Sequence, residues 1–233
     1  MKRQLAAVLI AVHALGAAAP VVEVSGIRDP ELKSYRTMAR GLDAFDAERA
    51  HAPQASLRFL LRPAAPGESL DGLTLTISGE SVKLPVTLAA DGGFELPRST
   101  AALEDKAELV LNRKRHSFRW RPDVRSPGVP ANTRRLGDLR LQCAVQWAID
   151  REALTPQARA ALGATGGPCH SPLAHTGFEA PQPLRAAWLR DGTRREALPV
   201  NRQRTRMFTP PLADRSWSDD ALVEFDYAGQ PAS

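Results

Sequence analysis

Apolar and polar residues alternate along several short runs of the chain. "LTLTI" (73–77) and "LRLQCAVQW" (139–147) are the clearest. A period of two puts one side chain set on a buried face and the other in water, so these runs predict half-buried strands. The same reasoning marks "VVEVS" (21–25), "SLRFLLRP" (56–63), "GLTLTIS" (72–78), "AELVLN" (107–112) and "SFRWRP" (117–122). In the second half it marks "LGDLRLQCAVQWAI" (136–149), "HTGFEAP" (175–181), "PLRAAWLR" (183–190) and "ALVEFDY" (221–227). Two stretches instead follow helical spacing. In "SGIRDPELKSYRTMARGLDAF" (25–45), Leu32, Tyr35, Met38, Leu42 and Phe45 share one face, with Asp29 placed to cap and Pro30 in the first turn. "LTPQARAALGATGG" (154–167) begins with Thr155 and Pro156 and ends in glycines, which predicts a shorter helix.

The pattern recurs. Shifted by 114 positions, "LPVTLAADGGFELPRSTAALEDKAELVLN" from Leu84 aligns without a gap on "LPVNRQRTRMFTPPLADRSWSDDALVEFD" from Leu198. Phe94 meets Phe208, Pro97 meets Pro211, Asp105 meets Asp219 and Ala107 meets Ala221, and the apolar phase is kept. Each half then reads as strand, helix and several antiparallel strands. "RPDVRSPGVPANTRR" between them carries prolines at 122, 127 and 130, which resist both helix and sheet. The expected fold is therefore mainly β: two tandem β-sandwich-like domains from an internal duplication, each with one helix. The expected boundaries are 19–122 and 136–233, joined by a linker at 123–135. The alternative is a single α+β domain with one continuous sheet.

The first residues change the picture of where the chain works. "MKRQLAAVLIAVHALGAAAP" has Lys2 and Arg3, an apolar run from Leu5 to Leu15, and small residues at Gly16 and Ala18. This is a secretory signal layout, expected to span 1–18. About 11 apolar residues is short of the ~20 that cross a bilayer, so no membrane span is expected after cleavage. A periplasmic or secreted protein follows as the expectation. Its two cysteines, Cys143 and Cys169, then read as a disulfide closing a loop of roughly 25 residues, which contributes about 3 kcal/mol. Competing uses are a metal site or a reactive thiol built on "CHSPLAH" (169–175) with His170 and His175.

Charge is mild in total and uneven in place. The formal net charge is +5, with Lys2 and Arg3 included. Residues 113–140 hold nine Lys/Arg against Asp123 and Asp138, and residues 185–206 hold seven arginines against Asp191 and Glu196. Arg113, Lys114 and Arg115 fall on a turn. Arg202, Arg204 and Arg206 align with the Asp91-Gly92 turn region, which puts them at a hairpin tip rather than along a strand. These six residues are the candidate ligand-binding set, suited to phosphate or carboxylate. An anionic envelope polymer or an acidic protein surface is the expected partner; nucleic acid is not, given the export signal.

Catalytic signatures are missing from the sequence. There is no G-x-S-x-G, H-E-x-x-H or C-x-x-C, and "GATGGP" lacks the lysine of a phosphate loop. His51 follows a helix and is expected to be exposed. Asp219 and Asp220 resemble a carboxylate pair, but Asp105 matches Asp219 and argues for a turn-capping role. No catalytic residue, metal or cofactor is expected. The leading expectation is an exported, non-catalytic binding or scaffold protein; the alternative is a small hydrolase or metal-dependent enzyme using His170 and His175.

Overall fold

The structure is a computed structural model that describes residues 27–229. The signal-like segment and "VVEVS" lie outside the described residues. The architecture is mixed α+β, with 23% helix and 32% strand in four open sheets, so the mainly-β sandwich expectation is overturned. Nor do the strands join into the one continuous sheet of the alternative.

In chain order, β1 (Pro30–Ser34) leads directly into α1 (Tyr35–Ala47), followed by a 3-10 turn at Arg49–His51. Then come β2 (Ser56–Pro63), β3 (Leu75–Ser78), β4 (Lys83–Val86), β5 (Gly93–Phe94), α2 (Thr100–Glu104), β6 (Glu108–Lys114) and β7 (Phe118–Arg125). The second half runs β8 (Thr133–Arg135), α3 (Leu136–Asp150), α4 (Pro156–Gly163), β9 (Phe178–Glu179), β10 (Leu184–Asp191), β11 (Arg194–Ala197), β12 (Met207–Phe208) and β13 (Leu222–Tyr227). Residues 123–135, expected as a linker, therefore include the end of β7 and all of β8.

The two halves share a mixed unit. One sheet has the order β1-β6-β3-β4 and the other β8-β13-β10-β11, strand for strand the same. The first amide of each long helix bonds to the carbonyl just before the matching strand: Tyr35 N to Ala107 O at 3.0 Å, Leu136 N to Ala221 O at 2.8 Å. The 114-residue offset therefore holds from Phe94 onward. It fails before it. Leu75 pairs with Val86 and Leu111, while Ala187 pairs with Phe225 and accepts from Leu198 N. Val86 thus corresponds to Leu198, not Val200, and the second half carries two extra residues at its hairpin tip. The edge strands β4 and β11 are guarded by Pro85 and by exposed arginines.

Two expected elements are corrected. Residues 136–149, read as a strand, form α3. Leu141, Val145 and Ile149 pack into the first core, and Leu136, Leu139 and Cys143 into the second. Each set has helical spacing, and the two superimposed give the alternation that mimics a strand. The first helix starts at Tyr35 rather than beyond Asp29. Asp29 has φ 59°, Pro30 opens β1, and the Ser34 hydroxyl accepts from Thr37 N as the cap. Thr155 and Pro156 do start α4, with the Thr155 hydroxyl accepting from Ala158 N.

Candidate functional site

The Cys143–Cys169 disulfide is present. It ties the segment after α3 back onto that helix, and Gly167 packs against the indole of Trp147 in the same place. His170 Nδ1 lies 3.3 Å from an Arg215 Nη, and His175 is exposed. No nucleophile among the described residues is bonded to either histidine. Among the described residues no group of three His, Cys, Asp or Glu side chains could hold a metal ion.

The basic turns differ in what their side chains already hold. Of the three residues expected on a turn, Arg113 and Lys114 instead end strand β6 and only Arg115 is in the β6–β7 turn. Arg113 donates to the carbonyls of Asn112 and Asp71, and Arg115 sits 3.8 Å from Asp29. Glu31, itself buried, binds the His116 amide and the Trp120 indole N–H and so fixes this turn. Of the three, only Lys114 has no side-chain partner among the described residues. Elsewhere in 113–140, Arg134 and Arg140 are interior side chains, so the run of nine cations is not a surface patch. Arg134 donates to Val124 O and to Gln142, its Nε has no partner among the described residues, and burial beside Arg125 pushes its guanidinium down to about 10. In 185–206, Arg190 and Arg195 pair with Glu224, and Arg194 with Glu196.

The tip between β11 and β12 stands apart. Asn201 Oδ1 accepts from the amides of Gln203 and Arg204 at 2.9 Å each, and Thr205 O and Arg206 O accept from Leu184 N and Ala180 N. The turn is held from within and from the neighbouring loop. Arg206 spends its guanidinium on Glu179 and on Ala180 O. Arg202 and Arg204 are exposed and have no ion pair among the described residues. Of the six candidate residues, Lys114, Arg202 and Arg204 have no ion pair among the described residues, and the two arginines share one hydrogen-bonded turn. The matching tip of the first half is closed by Asp91, whose carboxylate takes Arg58 at 2.8 Å.

Sequence reasoning missed a cluster where the halves meet. His51 is not exposed; its Nδ1 lies 2.9 Å from Asp219. Arg140 donates to the same carboxylate at 2.7 Å and to the carbonyls of Leu212, Asp214 and Trp217 at 2.9, 2.6 and 3.2 Å. Arg135 donates to His51 O at 2.7 Å and pairs with Asp220. Asp105, between α2 and β6, accepts from Ser81 N and Val82 N and so caps the distant β3–β4 turn, while the local turn-capping role expected for Asp219 is not found. Asp219, its counterpart, crosses to the other half instead. Two residues with the same register thus hold different things, and only contacts distant in sequence reveal it. The His51–Asp219 pair, together with Arg135, latches the 3-10 turn of the first half to the second half.

Burial raises the Asp219 pKa, but the hydrogen bonds from Arg140 and His51 outweigh it and hold the carboxyl below its ordinary value. A folded-state value below the unfolded one gives stability that is present at neutral pH and is lost as pH falls through it, below about pH 4. Urea titrations at neutral and acid pH check this: Asp219→Asn should be less stable than the parent at neutral pH and lose less on acidification. Equal acid slopes would remove Asp219 from the acid response.

Comparison with known proteins gives no relative: no family model, no curated protein and no solved structure matches the chain.

Proposed function

We propose that the protein is a non-catalytic binding module of the cell envelope that captures an anionic partner through Arg202 and Arg204. The observation that carries this reading is the β11–β12 tip. It is two residues longer than its counterpart in the first half, its backbone is held by Asn201 and by the 180–184 loop, and it presents two unpaired guanidinium groups. The fold closes the equivalent tip without them, so the pair is spare to folding. A turn already held by its own hydrogen bonds spares the backbone part of the ordering cost, and the arginine fork suits phosphate or carboxylate oxygens. The N-terminal segment supports an envelope location, where anionic polymers and acidic protein surfaces are the partners available.

Crosslinked capture from envelope extract, at low and at high salt, tests this. The parent should retain a dominant polymer or protein that is lost at high salt, because exposed charge pairs are screened. Arg202→Ser/Arg204→Ser should reduce capture at least about tenfold while leaving the unfolding midpoint unchanged. Salt-insensitive capture, or capture unaffected by the double substitution, would overturn the proposal.

A further inference from the structure

The repeat exposes a place that one half fills and the other leaves open. Because Tyr35 and Leu136 are equivalent helix starts, Ala39 stands where α3 has Arg140. In the second half the Arg140 guanidinium lies against residues 212–217, bound to three carbonyls and walled by the buried Trp217. In the first half the counterparts of Leu212, Asp214 and Trp217 are Arg98, Thr100 and Leu103. The shorter Ala39 and Leu103 leave a cleft of about 420 Å³ between α1 and α2, lined by these very residues together with Tyr35, Arg36, Arg40 and Asp43.

The cleft has not kept its partner's preference for a cation. Residues 212–218 form turns whose carbonyls face Arg140, whereas residues 100–104 are wound into α2 and use carbonyls within the helix. The Leu103 carbonyl is met by Arg36 at 3.3 Å, as the Trp217 carbonyl is met by Arg140. Three arginines and one aspartate line the opening, and Asp46 and Glu152 beside it reach two of those arginines. Arg98 is held by Asp43 and Asp46, and Arg40 by Glu152. Arg36 has no ion pair among the described residues and is exposed. Tyr35, Ala39 and Leu103 supply an apolar wall, and Ser99 and Thr100 line the opening beside it.

We propose that this α1–α2 cleft is a second binding site, separate from the β11–β12 tip, for a small organic oxyanion with an apolar body, its charged oxygens on Arg36 and its body against Ala39 and Leu103. A concave site with an apolar wall and a few convergent polar groups is the usual form of such a site, and the arginine fork matches carboxylate and phosphate oxygens alike.

An NMR titration of the full chain with benzoate, phenyl phosphate, inorganic phosphate and benzamidine tests it. Saturable shifts of the amides in 35–43 and 98–103 with benzoate or phenyl phosphate support the site, and the tighter of the two names the headgroup. Arg36→Ser should weaken that binding at least about tenfold. Ala39→Arg, which gives the first half the side chain the second half already carries, should abolish it in a protein whose remaining spectrum is unchanged. If Ala39→Arg does not fold, the exposed Arg36→Ser decides alone. Benzamidine shifting the same amides, inorganic phosphate binding as tightly as benzoate, or affinity unchanged in Arg36→Ser would each overturn the proposal.

Discussion

Replacing Arg140 with leucine should cost about 3–5 kcal/mol and lower Tm by roughly 6–20 °C. The reason is the number of groups that depend on one guanidinium. Arg140 is almost fully buried, and it satisfies the carbonyls of Leu212, Asp214 and Trp217 together with the Asp219 carboxylate. Leucine replaces the volume of the stem but none of the donors. The buried carbonyls of Leu212 and Trp217 then lose their partner, each a penalty of about 1–3 kcal/mol when left unmade, and the more exposed Asp214 carbonyl turns to water. Asp219 retains only His51. Thermal unfolding followed by circular dichroism reads the effect. A loss under about 1 kcal/mol would show that water reaches the 212–217 turns and that the guanidinium is replaceable.

Gly137→Ala should be destabilising by about 3 kcal/mol, although helix propensity alone predicts a gain of about 1 kcal/mol for alanine over glycine. The two terms have opposite signs, so the experiment separates them. Gly137 is the second residue of α3 and donates its amide to Asp219 O at 2.9 Å. A Cβ there would fall on the His51 carbonyl oxygen, 2.7 Å from Arg135 Nη1 and 3.0 Å from Asp219 Cβ. The first of these is backbone and cannot swing away. Relief would require the 3-10 turn at 49–51 to leave the helix start, which breaks the latch between the halves. Gly163→Ala at the end of α4, where an added Cβ meets nothing, is the control and should change stability by less than about 1 kcal/mol. Equal outcomes at the two positions would contradict the close approach of His51 to α3.

What the sequence disclosed depended on how local the cause was. β2 is read to its limits, since "SLRFLLRP" is bounded by a turn and by Pro63. The α4 start is a Thr–Pro signal whose atoms all lie within four residues. The disulfide follows from having two cysteines. α3 was illegible for the opposite reason. Two cores claim alternate sides of one helix, so no single stripe stands out, and the polar residues between them, Arg140 and Gln142, are themselves drawn inward or into the β7–β8 junction. Arg134 and Arg140 look like surface charge until distant carbonyls are known to await them. The basic tip was placed correctly at a turn, but the offset hid its two extra residues, because "LPV" matches itself at the wrong step.

α3 also sets a schedule. Val145 and Ile149 close the first core against Gly41 and its neighbours, yet they are synthesised after every strand of that half. A chain emerging amino end first therefore reaches β7 with its early hydrophobic surface still uncovered. If the chain is exported through its leading segment, as proposed, that delay would suit the passage. Translocation works on an extended polypeptide, and here the final residues of the first core arrive only with the second half, so the passage need not race against completed packing.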